Sequence, residues 1–84
     1  MDYDFTRHAE RIFHKLAKDA QRQIIHKLEY YLSQSNPLSF ASRIVGGPRP
    51  AYRFRIGDYR IIFDWEGDKI LITSVGHLRD IYRG

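Results

Sequence analysis

Apolar positions recur at helical spacing in the first half of the chain and at every second residue after Pro50. In the first half, Ile12, Phe13 and Leu16 share one side of a helix expected over about 7–17, with Thr6 as its N-cap. Asp19 is the expected N-cap of a second helix over about 20–34, which places Ile24, Ile25, Leu28, Tyr31 and Leu32 on one face. Ser33 to Pro37 ends it, so the two helices read as an antiparallel hairpin. Ahead of them, Tyr3-Asp4-Phe5 alternates as a short edge strand does. Residues 37–50 hold all three prolines and Gly46-Gly47, and read as a loop with one helical turn near 39–44.

Beyond Pro50 the period is two. Tyr52, Phe54 and Ile56 alternate with Arg53 and Arg55, and Tyr59, Ile61 and Phe63 alternate with Arg60, Ile62 and Asp64. Gly57-Asp58 between these runs is a two-residue type II′ or I′ hairpin signal. Trp65-Glu66-Gly67-Asp68 reads as a second turn, 69–75 as a third strand, and 76–84 as a polar tail that Gly76 lets depart sharply. The expected fold is α+β: one domain over 1–84, an N-terminal helical hairpin packed on a curved antiparallel β-sheet.

Pairing the hairpin about Gly57-Asp58 sets Ile56 against Tyr59, Arg55 against Arg60, Phe54 against Ile61, Arg53 against Ile62 and Tyr52 against Phe63. Directly opposed residues share a face. One face is therefore apolar and packs on the helices, while the other carries Arg53, Arg55 and Arg60 around Ile62. Like charges set opposite each other cost a few tenths of a kcal/mol to about 1. An anion between them would remove that cost. The plainer reading makes them solvated arginines on an exposed face, partly neutralised by Asp64, Glu66 or Asp80.

Charge distribution sharpens the picture. The net charge is +4. Residues 43–60 alone account for that excess, because Arg43, Arg49, Arg53, Arg55 and Arg60 are set against Asp58 only. Guanidinium groups grip phosphate at two points, which lysine cannot do. The sequence has no cysteine, so neither disulfides nor thiolate metal sites are available to it. No apolar run approaches the ~20 residues of a membrane span, and the charged N-terminus has no signal-peptide core; a cytoplasmic protein is expected. His8, His14 and His26 fall on the helices as surface residues, without metal-ligand spacing. No serine has a nucleophile-elbow context, and no carboxylate pair is placed for acid–base work. Arginines, a tyrosine and His77 remain, a set suited to metal-free phosphodiester cleavage in which a 2′-hydroxyl attacks. A 2′-hydroxyl means RNA.

The run Tyr52-Arg53-Phe54-Arg55-Ile56-Gly57-Asp58-Tyr59-Arg60-Ile61-Ile62-Phe63, with Val75-Gly76-His77 and Asp80-Ile81-Tyr82-Arg83, resembles the RelE/ParE superfamily of type II toxin–antitoxin toxins. Arg60 together with the terminal tyrosine brings it nearer the RelE branch. The resemblance covers essentially the whole chain. It implies an endonuclease that enters the ribosomal A site and cuts mRNA by 2′-hydroxyl attack, with no cofactor, metal or membrane. A cognate antitoxin would neutralise it. By position, Arg53, Arg55 and Arg83 would hold RNA phosphates, and Arg60 would stabilise the transition state. Tyr82 would serve as base or acid and stack on a nucleobase. The residue after His77, commonly basic in the family, is Leu78 here. Arg79, one residue on, would compensate for it only with the tail locally shifted, and His77 would then carry more of the proton chemistry. Two other readings stay open: a ParE-like inhibitor of DNA gyrase, and a catalytically weak antitoxin-binding module.

Overall fold

The computed structural model describes residues 1–78. Helix α1 (Arg7–Lys15) starts where its cap dictates: Thr6 Oγ1 accepts the Ala9 backbone N–H at 3.1 Å. Helix α2 (Lys18–Ser33) follows almost at once. Asp19 does not cap it; Ala17 holds that position without a side-chain bond, and Asp19 lies within the first turn, paired with Arg22. A carboxylate there still faces the positive end of the helix. The junction is fastened by Gln21, a buried amide that donates to the carbonyls of His14 (3.2 Å) and Leu16 (2.9 Å). These are acceptors that the end of α1 would otherwise leave unsatisfied.

Residues 37–44 differ from expectation. Pro37–Phe40 form a 3-10 turn, and Ala41–Ile44 form a strand, β2, in place of the helical turn read near 39–44. Ser42 and Arg43 are both exposed, so β2 has no alternation of its own to read. It is a strand because β3 (Ala51–Ile56) offers it an edge, with Ala41 opposite Phe54 and Ile44 opposite Ala51. Next come β4 (Tyr59–Glu66) and β5 (Lys69–His77), joined by a turn confined to Gly67-Asp68, so Trp65 and Glu66 belong to β4. At the other edge, β1 (Asp2–Phe5) runs parallel to β5. The order is β1-β5-β4-β3-β2. The architecture is the expected α+β one, with a single parallel pair that makes the sheet mixed.

The two helices bury Ala9, Phe13, Ile24, Leu28 and Leu32 against Phe54, Ile56, Ile61, Phe63, Ile70, Ile72 and Val75. Phe54 and Phe63 stack at its centre, 4.6 Å between ring centroids. Each such side chain contributes about 1.5–3 kcal/mol by leaving water.

One irregularity decides what lies beside the arginines. Phe63 faces Ile72, yet Ile62 faces Ser74, so Thr73 is an extra residue in β5. Its hydroxyl donates to the Ile62 carbonyl at 3.3 Å. Had β5 run on in strict alternation, Val75 would face Arg60. With the bulge Val75 turns into the core, 2% exposed, and Gly76 comes opposite Arg60.

Candidate nucleic-acid interface

The β3–β4 hairpin has the register read from its sequence, with Arg55 opposite Arg60 and Arg53 opposite Ile62. Gly57 has φ +58° and Asp58 has no positive φ, the pattern of a type II′ turn. A Cβ at Gly57 would also lie 2.6 Å from Nε2 at the end of the Gln23 side chain on α2, which would have to swing aside.

This register gathers the arginines on the sheet face away from the helices. One row across the strands is Arg55, Arg60 and Gly76; the next is Ser42, Arg53, Ile62 and Ser74. Arg60, on the central strand, is only 7% exposed. Its guanidinium donates from Nη1 to the Tyr59 carbonyl at 3.3 Å. Among the described residues, neither Arg55 nor Arg60 has a carboxylate within ion-pair distance. Asp64 and Glu66 do not neutralise them: they lie four and six residues along β4, or about 13 and 20 Å from Arg60. A guanidinium buried without a counter-ion bears a desolvation cost that an anion would offset. Gly76, directly opposite Arg60, presents no side chain of its own to that flank.

His77 lies elsewhere. It is opposite Tyr59 with their rings edge-on, 5.6 Å apart, on the helix-facing side of the sheet. Tyr59 and His77 line a cavity of about 470 Å³ together with Ile12 and Leu16 of α1 and with Ile62, Ser74, Val75 and Gly76 of the sheet. The bulge at Thr73 is the cause, since it shifts every later residue of β5 by one step. Gly76 is not the point of departure, because β5 continues through His77. The Leu78 N–H then donates to the Asp58 carbonyl at 2.8 Å, joining the start of the tail to the hairpin turn. Arg79, Tyr82 and Arg83 lie outside the described residues.

The neighbour of Arg60 was not evident from sequence. Only the register of β5 identifies Gly76, and the signal available was the apolar sequence Ile70, Ile72, Val75, whose spacing changes from two to three across the bulge.

A second cavity, about 620 Å³, opens at the far end of the molecule beside Tyr3, Glu29 and Lys69. Burial there, and the Glu29 carboxylate, push the Tyr3 phenol above its ordinary pKa. No helix among the described residues is long and apolar enough to cross a membrane.

A family model described as ParE toxin of type II toxin-antitoxin system, parDE, matches residues 3–82. No curated protein matches the sequence. Among solved structures, the RelBE2 toxin–antitoxin complex from Mycobacterium tuberculosis contains a similar chain. It is 23% identical over 90% of this chain and 95% of that one, with a TM-score of 0.79. The isolated RelE toxin from E. coli is 19% identical over 98% and 96%, at 0.71. A chain of the RelB–RelE antitoxin–toxin complex from Methanococcus jannaschii is 25% identical over 94% of each, at 0.68.

Proposed function

The chain belongs to the ParE toxin family of type II toxin–antitoxin systems, within the RelE/ParE superfamily, and on that premise we propose that it is a ribosome-dependent mRNA endonuclease. The observation that carries this reading is Arg60: buried, set directly against Arg55, without a carboxylate partner among the described residues, and opposite a glycine. Two opposed guanidinium groups fit a phosphodiester that gains negative charge as the 2′-hydroxyl attacks. In this reading Arg60 stabilises the developing phosphorane, and Arg53 and Arg55 hold the RNA backbone. Tyr82 handles the proton, with Arg79 and Arg83 contributing further positive charge. His77 receives no proton-transfer role, because its strand position is on the other face of the sheet. A cognate antitoxin silences the toxin by covering the arginine face, and the site of action is the cytoplasm.

The ParE description of the matching family favours a second reading, a toxin that acts by binding gyrase. Primer extension on a reporter mRNA after induction separates the two. The nuclease reading expects new 5′ ends within translated codons, lost with Arg60→Ala and with Tyr82→Phe. Arrested growth with intact mRNA and stalled gyrase would establish the other.

A further inference from the structure

We propose that the acidic half of the outer sheet face confines bound RNA to a track running across the strands over the arginine rows, with Asp64 as the stop. The inference rests on the RNA-binding reading above. The strand registers make the outer face electrically bipolar. At one end stand Arg53, Arg55 and Arg60. At the other, Asp64, Leu71 and Asp4 form one row across β4, β5 and β1, and Glu66, Lys69 and Asp2 form the next. Four carboxylates against one lysine leave −3 there, facing +3 from the arginines. Lys69 is engaged with Asp4 at 3.2 Å. On β4 and β5, uncharged Ile62 and Ser74 separate Arg60 and Gly76 from the acidic rows.

These spacings fix a direction. RNA laid along β4 would reach Asp64 about 13 Å beyond Arg60 and then Glu66. RNA laid across the strands stays over Arg55, Arg60 and Gly76. At physiological salt, charges are screened over about 8 Å. Asp64 therefore leaves the phosphate at Arg60 unaffected and repels only one that advances along the strand. The acidic half sets how many phosphates are held beyond the Arg55–Arg60 row and does not weaken that row.

The test measures binding of a single-stranded oligouridylate to the full chain across a salt series. Asp64→Lys is expected to tighten binding and to steepen the slope of log K against log salt by about 0.7 for each phosphate newly held. Glu66→Lys should act in the same direction and Asp64→Asn more weakly. Glu10→Lys on α1 makes the same charge change on the helical layer and should leave the slope near that of the parent. Equal slopes for Asp64→Lys and Glu10→Lys would overturn the proposal, reducing the effect to net charge. Binding unaffected by Arg55→Ala would instead defeat the RNA reading beneath it. Thermal melts of each variant establish that the folded chain is being compared, and Glu66→Lys decides the matter if Asp64→Lys does not fold.

Discussion

The two sides of the β3–β4 hairpin are made by alternate residues of the same strands, yet they are held to opposite physical standards. On the helix side, Phe54, Ile56, Ile61 and Phe63 are all at or below 2% exposure, and their value is the water they exclude. On the other side, Arg60 is nearly as buried and has no carboxylate facing it among the described residues. The first side makes the fold; the second draws on the stability the first supplies. Burial alone does not identify a structural residue. What distinguishes Arg60 is burial of a charge that no carboxylate among the described residues offsets.

Mutations should divide along that line. Phe63→Ala is expected to cost about 3–5 kcal/mol, most of the stability of a domain this small, read from urea unfolding. Arg60→Met should lower single-turnover cleavage on programmed ribosomes by about 100- to 1,000-fold. Its unfolding midpoint should hold or rise, because replacing a buried charge with a packed apolar chain is often neutral or stabilising. A large fall in the midpoint would make Arg60 a structural residue and dissolve the contrast. Arg55→Glu should stabilise the hairpin by a few tenths to about 1 kcal/mol, since opposite charges then face each other, while weakening RNA binding. The smallest effect concerns Tyr3, at the far end of the helix side, whose phenol pKa is raised by burial and then by Glu29. A raised folded pKa means its contribution is fully present below the unfolded value near 10 and is lost as pH climbs through the folded one. Tyr3→Phe should therefore flatten the decline of melting temperature above about pH 10.

The hairpin was legible in the sequence because two signals agree on it: alternation on both arms and a two-residue turn with glycine first. Helix α1 was legible for a similar reason, Thr6 preceding a run of helical period. Other features depend on partners remote in sequence. Ala41–Ile44 is a strand by virtue of the edge it pairs with, and Tyr3-Asp4-Phe5 gives no sign of its parallel partner Ile70-Leu71-Ile72. Asp19 reads as a cap, but α2 starts two residues before the start that cap would give, at Lys18, with Ala17 in the cap position. Three arginines of the candidate site came from local register and were placed correctly on one face. His77 was expected near them and is not there, because a bulge is a property of two strands and leaves little trace in one.

Thr73 could be removed without disturbing anything downstream. Ser74 would follow Ile72 directly, the ladder would run unbroken, and Gly76 would still sit across from Arg60. Two relatives that differ in length by a single codon at this point can therefore share one geometry. Counting residues forward along the chain from Arg60 is then a poor guide to which groups of β5 meet it.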